Sequence, residues 1–500
     1  LAVESRIQKR ALEAHAASVI DPRPVGYVIG LLVTGFGLVM ALPLAIDVWD
    51  GAANATAFAL AGVVTLACGG ALALSCRGAR RAGLTVEQTF MLTTAVWGAL
   101  PLFGALPFVF GAPQASFTDA FFEAMSGLTT TGSTVFSGLD SMPRGTLLWR
   151  ALMQWLGGVG IIVVAMAFLP ALKVGGMQLF RSEGFDTFGK ILPRAAEIAA
   201  SIGWIYVGLT LACAAGYAAL GMDLFDAVCH GMTTIATGGF ANYDASFAAF
   251  PPGVEYAAAV FLLLASLPFV RYVQLLAGSA RPLYEDTQVR AFLCVAATVI
   301  LGLALWRAAL AEAPFETAFR KSLFNGLSIL TGAGYASADY NAWGPLAVGV
   351  FFVIGMVGGC AGSTCCAIKI FRFQILVAAI TAQVRRIHSP SGVFQPRFQG
   401  RPIDDAALSS VISFFYFFAL TLGLFTVALS MIGLDPITAV SGAATALANV
   451  GPGLGPIIGP AGNFAPLPDS AKWLLSAAML MGRLELLSVM VLLTPLFWRR

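Results

Sequence analysis

The chain has 500 residues, of which 58% are apolar and only 11% charged, with a mean hydropathy of +0.82. Soluble domains carry about 25% charged residues, so there are too few charges here to cover a water-facing surface, which excludes a soluble domain. The 29 basic and 26 acidic residues give a net charge of +3, and the basic ones fall in short clusters between apolar runs, a pattern that does not imply nucleic acid.

The chain starts with LAVESRIQKRALEAH, which is charged and lacks the apolar stretch of a signal peptide. Uncharged runs follow at 24–46, 51–76, 88–118, 151–172, 198–222, 340–368 and 406–434. About 20 such residues cross a hydrocarbon layer roughly 30 Å thick. The pattern predicts ten full crossings, at 25–46, 54–76, 88–110, 150–170, 199–221, 255–275, 289–310, 345–370, 407–431 and 472–497. Between crossings three and four, five and six, seven and eight, and nine and ten lie apolar segments too short to span.

Charge placement tests that count, because basic residues favour the cytoplasmic side. A cytoplasmic N-terminus puts Arg6, Lys9, Arg10 and Arg23 inside, then Arg77, Arg80 and Arg81, then Lys173, Arg181, Lys190 and Arg194. The same side receives Arg271, Arg281 and Arg290, then Lys369, Arg372, Arg385, Arg386, Arg397 and Arg401, and finally Arg499 and Arg500. The opposite side holds Asp47, Asp50, Asp140, Asp223, Asp244, Glu312, Asp339, Asp435 and Asp469, with fewer basic residues: Arg144, Arg150, Arg307, Arg320, Lys321 and Lys472. Both termini are therefore expected in the cytoplasm. Full crossings in place of the short segments would break this alternation.

The short segments repeat. AFFEAMSGLTTTGST from Ala120, AVCHGMTTIATGGFA from Ala227, SLFNGLSILTGAGYA from Ser322 and AVSGAATALANVGPG from Ala439 align without a gap. Each has a small residue twelve positions before a glycine (Gly132, Gly239, Gly334, Gly451), and Ser126, Thr233, Ser328 and Thr445 share one register. Each has room for about ten helical residues, half a bilayer, before a glycine-rich return to the same side. Irregular backbone in hydrocarbon survives only where protein buries it or it lines an aqueous path, and four loops around one axis shelter one another. Glycine admits dihedrals closed to other residues, so TTTGS, ATGGF, TGAGY and ANVGP can turn carbonyl oxygens toward that axis. A carbonyl ring replaces the water shell of a monovalent cation, and the C-terminal ends of the short helices add negative potential there. The filter candidates are Thr130, Thr131, Gly132, Thr237, Gly238, Gly239, Gly332, Ala333, Gly334, Asn449, Val450 and Gly451. Because Asn449 and Val450 stand where the first copy has Thr130 and Thr131, the ring is not fourfold symmetric in detail. Small-residue helix packing is the competing reading.

Two further features bear on the path. GMVGGCAGSTCCAIK in the eighth crossing carries Gly355, Gly358, Gly359, Gly362, Ser363 and Thr364, and central glycines weaken a helix. A break facing the axis would form a gate; close helix packing is the alternative. Arg483 lies inside the tenth crossing, where a charge faces a cavity or a partner. It stands below the filter as a barrier, pairs with an acid such as Glu123, or does both, whereas Glu485, two positions on, points away from it. Eight cysteines, among them Cys68, Cys213 and Cys294 within apolar segments, show no metal or disulfide spacing, and Cys365 and Cys366 read as packing. His230, beside Cys229, reads as a packed histidine, and His15 and His388 as solvated. No HExxH, GxSxG or Walker pattern occurs, and GGVG at 157–160 is followed by no lysine and serine.

With these windows in hand, the chain resembles the superfamily of potassium transporters that includes bacterial Trk and Ktr uptake systems and plant high-affinity potassium transporters, most closely the Trk membrane subunit. The resemblance rests on LTTTGST, IATGGFANYD, LTGAGYASADYN and LANVGPGLG, on QWLGGVGI, on GGCAGST with Ile368 and Lys369, and on GRLE around Arg483. It implies an all-α integral membrane protein of four helix, pore loop, helix repeats in pseudo-fourfold symmetry, preceded by two extra transmembrane helices. The corresponding division is 1–80, then repeats at 81–195, 196–285, 286–400 and 401–500. It further implies K+ uptake across the bacterial inner (cytoplasmic) membrane, a homodimer, and a cytoplasmic nucleotide-binding regulatory subunit of the TrkA type whose ATP, ADP or NAD state biases gating, with no covalent cofactor. The family's gating loop falls on Gly358, Gly359, Gly362, Ser363 and Thr364, with Lys369 after it, and its cavity arginine falls on Arg483. Family members commonly have glycines where Cys365 and Cys366 stand, so a stiffer hinge and atypical gating are expected here. In plant relatives a serine at the first filter glycine goes with sodium transport, so Gly132 implies potassium. The competing functions are an ion-coupled symporter, which would want an acidic residue in a broken crossing, and a membrane enzyme, which would want clustered Ser, His, Asp or metal ligands.

Overall fold

In the computed structural model, which describes residues 20–79, 84–167, 195–310 and 314–498, the apolar runs are helices. Hydrocarbon offers no partner to backbone N–H and C=O groups, so each run pairs its own. Among the described residues, six helices are long and apolar enough to cross a membrane: Arg23–Trp49, Ala55–Ser75, Val86–Phe110, Ala200–Ala219, Thr287–Ala309 and Asp405–Met431. Arg144–Ala167 is a further unbroken helix of 24 residues. The charged start with Arg6, Lys9, Arg10 and His15 lies outside the described residues, as do Arg80, Arg81, Lys173, Arg181, Lys190, Arg194, Glu312, Arg499 and Arg500.

The two leading crossings touch backbone to backbone. A side chain on Gly69 would come within 2.6 Å of the Thr34 nitrogen, so small residues set their spacing. Buried Asp47 joins this pair to the first repeat, accepting from Gly145 N at 2.7 Å and Asn54 Nδ2 at 2.7 Å. The Trp149 indole donates to Gly104 O at 3.0 Å and packs on Phe36. One large apolar cluster joins the second and third repeats; another joins the first and fourth with the leading pair.

The four short segments begin with helices Phe117–Leu128, Leu224–Ile235, Phe315–Thr331 and Pro436–Ala448, of 12, 12, 17 and 13 residues. At 1.5 Å per residue they run roughly 18 to 26 Å, somewhat longer than the ten residues predicted. Ser116, Asp223 and Asp435 cap three of them by accepting backbone N–H bonds, while Pro314 opens the third with Glu316 in its first turn.

Three of the ten predicted full crossings are interrupted. The one read at 255–275 is two helices, Pro252–Ala265 and Phe269–Leu276, bent by 89°. Pro268 drives Leu267 out of helical geometry, which frees the carbonyls of Ala265 and Ser266 for other partners. The one read at 345–370 stops at Val357 and resumes as Ile370–His388, with 358–369 non-helical between. The one read at 472–497 breaks after Asp469–Arg483, where Glu485 and Leu486 have φ of 60° and 36°, before Leu487–Leu493.

The basic residues that ran against the charge rule are engaged. Arg144 meets Asp50, Arg150 meets Glu123, Arg320 and Lys321 meet Glu255, and Lys472 meets Asp119, while Arg307 lies 3.9 Å over the Trp343 ring. Conversely Lys369 and Arg372, counted with the cytoplasmic cluster, are buried.

Candidate ion pathway

The four glycine-rich strands that follow the short helices share one backbone geometry. Thr130, Thr237, Gly332 and Asn449 have φ of 50°, 49°, 80° and 52°; Gly132, Gly239, Gly334 and Gly451 have φ of 86°, 82°, 81° and 109°. Left-handed residues at every second position turn successive peptide groups to one side of the strand. In each strand the residue between donates its N–H back into the helix: Thr131 to Ser126 O at 2.8 Å, Gly238 to Thr233 O at 2.8 Å, Ala333 to Ser328 O at 2.8 Å and Val450 to Thr445 O at 3.0 Å.

These strands close a ring. A Cβ on Gly132 would collide with Gly238 O, one on Gly239 with Ala333 O, one on Gly334 with Val450 O, and one on Gly451 would lie 2.8 Å from Thr131 O. Each strand seats against the next and the fourth returns to the first, with carbonyls of one register between them. All twelve predicted filter residues are thus brought together. Cross-repeat bonds pin the join between first and fourth strands: Ser133 Oγ donates to Gly451 O at 2.8 Å and Asn449 Nδ2 to Thr131 Oγ1 at 2.9 Å.

A cavity of about 520 Å³ opens on one side of the ring, lined by Ser133, Gly239, Gly334 and Pro452 among others. The nearby carboxylates are committed elsewhere. Glu123 accepts from Arg150 Nε and Val135 N, each at 2.9 Å, and Asp244 from Gly138 N at 2.7 Å. Among the described residues no group of three His, Cys, Asp or Glu is placed to hold a metal ion. The oxygens that lie between the strands of the ring are backbone carbonyls, those of Thr131, Gly238, Ala333 and Val450.

On the other side, residues 358–369 fold beneath the ring. Ala367 N donates to Ala448 O at 3.1 Å, at the end of the fourth short helix, and Cys360 N to Ser266 O at 3.1 Å in the break of the second repeat. Gly358 and Gly362 have φ of 77° and 75°; Gly359 packs on Cys365 and Ser266. Ser363 Oγ donates to Cys360 O at 2.7 Å and Thr364 Oγ1 to Ala265 O at 3.1 Å. Arg483, 1% exposed, donates to Gly157 O at 2.9 Å and contacts Cys366 Sγ, so one side chain touches both the loop and the first repeat.

A family model described as TrkH, cation transport protein, matches residues 54–498. The chain belongs to the TrkH family. The Trk system potassium uptake protein TrkI of Halomonas elongata is 47% identical over 479 residues, covering 95% of this chain and 97% of that one. TrkH of Salmonella typhimurium is 38% identical over 487 residues, covering 95% and 99%. The crystal structure of the potassium transporter TrkH from Vibrio parahaemolyticus matches with a TM-score of 0.88 at 32% identity, over 96% of this chain and all of that one.

Within this TrkH-family fold some sequence expectations change. Arg483 does not pair with Glu123, whose carboxylate is held by Arg150. Glu485 does point away from Arg483: its turned backbone carries it to Lys369 Nζ, at 2.9 Å, and to Arg372. Sequence reasoning missed this three-residue cluster because charge placement counts Lys369 and Arg372 with the cytoplasmic basic residues. It also missed Ser266, although Pro268 marks the break, and Gln154, which bonds the second strand. Gly157 and Gly482 are needed because a methyl on either would overlap a carbonyl at the end of a short helix, Leu128 O or Leu447 O. His230 is a packed histidine, with Nδ1 2.8 Å from Asp226 O; His388 is exposed.

Proposed function

We propose that this TrkH-family chain is the membrane subunit of a Trk-type potassium uptake system, with the four-strand ring as its selectivity filter. The observation that carries this reading is the closed ring of equivalent carbonyls, beside which Glu123 and Asp244 are bonded elsewhere. Such oxygens match a weakly hydrated monovalent cation, and successive layers keep it from being trapped. The similar proteins are named for potassium uptake, which favours K+ as cargo.

In this reading K+ enters from the 520 Å³ vestibule, sheds water at the layer of Thr131, Gly238, Ala333 and Val450 carbonyls, and passes toward the loop. The short helices direct their negative ends to the axis and stabilise the ion there. Residues 358–369, with Gly358, Gly359, Gly362, Ser363, Thr364 and Lys369, form the gate, and Arg483 beside them repels the cation until the loop moves. The vestibule faces outward and both termini inward, across the bacterial cytoplasmic membrane. The division at residues 80, 195, 285 and 400, assembly as a homodimer, and control by a nucleotide-binding regulatory subunit complete the proposal.

The test is ion flux from purified protein in vesicles, with K+ and Na+ gradients set separately and the pH gradient collapsed. Flux that follows the K+ gradient, and loses preference for K+ over Na+ in Gly239→Ser, supports the filter. Unchanged selectivity in folded Gly239→Ser overturns it.

A further inference from the structure

The second strand of the ring is built differently from the other three. At the ring-carbonyl register the first, third and fourth strands have side chains: Thr131 Oγ1 bonds Thr129 and Asn449, Ala333 is buried, and Val450 packs in the apolar core. The second has Gly238 followed by Gly239. Two adjacent glycines lose more freedom on folding than any other pair, and they hold a given peptide orientation least well.

A side chain from the neighbouring repeat fills the gap. Gln154, fully buried on helix Arg144–Ala167, donates from Nε2 to Gly238 O at 2.5 Å and accepts from Phe240 N at Oε1 at 3.0 Å. One planar amide therefore grips the strand on both sides of Gly239. The fit is reciprocal, because a Cβ on Gly238 would fall inside the Gln154 amide. Among the described residues, Gly238 O is the one carbonyl of its layer bonded by a side chain, so one of its lone pairs is already taken.

We propose that Gln154 is a positioning residue for ion selectivity: its amide holds the Gly238 carbonyl at the ring and weakens that oxygen's share of the cation relative to the other three. The proposal rests on the ring being the selectivity filter. Discrimination against the smaller Na+ requires that the oxygens not close in around it, and the glycine pair is where the ring yields first. Gln154→Met keeps the length and removes both bonds.

The test is the K+ to Na+ permeability ratio of purified protein in vesicles, read beside the amount of folded protein, for Gln154→Met, Gly238→Ala, Gln154→Ala and the double variant Gln154→Ala with Gly238→Ala. Of the two bonds lost in Gln154→Met, the one to Gly238 O bears on the ring, and its loss predicts a ratio lowered about five- to tenfold. Gly238→Ala lowers it too, by collision. The double variant, in which the new methyl occupies the vacated space and stiffens the strand, recovers selectivity above either single alanine variant. A wild-type ratio in folded Gln154→Met overturns the proposal, as does a folded double variant no better than its parents. Gly239→Ser separates the two readings: if it loses selectivity while Gln154→Met keeps it, the filter stands and the role of Gln154 falls. If Gln154→Met does not fold, the double variant decides.

Discussion

The buried cluster below the ring makes an asymmetric prediction. Glu485 accepts from Lys369 at 2.9 Å and from Arg372, and all three are no more than 5% exposed. Glu485→Gln removes the carboxylate that two cations share, and deleting one member of a buried ion pair costs about 3–5 kcal/mol. Lys369→Gln leaves one cation matched to one carboxylate, so its cost is nearer one charged hydrogen bond, about 2 kcal/mol. Lys369 ends the loop that lies under the ring, with its N–H on Val357 O at 2.9 Å, so most of this difference bears on the loop's seating. That difference, about 1–3 kcal/mol, shifts the balance between seated and displaced loop by roughly 5- to 150-fold. Thermal unfolding in detergent and K+ flux in vesicles read the two consequences. Glu485→Gln is expected to unfold earlier and leak more K+ than Lys369→Gln. Equal behaviour of the two variants, or wild-type flux in a folded Glu485→Gln, refutes the reasoning.

Arg483→Ala removes a buried cation between the loop and Gly157 O, and is expected to raise K+ flux; lowered flux from folded protein contradicts a barrier role. Asp47→Ala strands the Gly145 N–H and takes one of the two acceptors of the Asn54 Nδ2, so stability falls by about 2–3 kcal/mol while the K+ to Na+ ratio stays as in the wild type, measured by unfolding and flux together. Gly157→Ala and Gly482→Ala each push a methyl into the carbonyl end of a short helix, and both are expected to lower folded yield in a detergent size-exclusion assay.

The ring of four strands was legible because its physics is local. Four glycines at one spacing after an apolar half-length helix leave few other uses for positive φ, and Gly132, Gly239, Gly334 and Gly451 all adopt it. The break after Val357 was legible for the same reason, since Gly358 and Gly359 weaken the helix they would have continued. The bends at Pro268 and at Glu485 were not, because hydropathy averages over the few residues that turn and reads an unbroken run. Burial of Lys369 and Arg372 was hidden because a charge's partner is set by tertiary contact: Glu485 is more than a hundred positions away and reaches them only through a left-handed backbone. Gln154 escaped for a related reason. Its position on a crossing gives no hint that its amide bonds the next repeat's strand.

All of this depends on a cation meeting backbone oxygens of four strands at one place on a common axis. Anomalous diffraction from crystals soaked in Rb+ or Tl+ looks for that ion directly. The account predicts density centred among the carbonyls of Thr131, Gly238, Ala333 and Val450, displaced by added K+ and not by added Na+. Density confined to the carboxylates of the outer loops, or none at the ring at saturating Rb+, would contradict it.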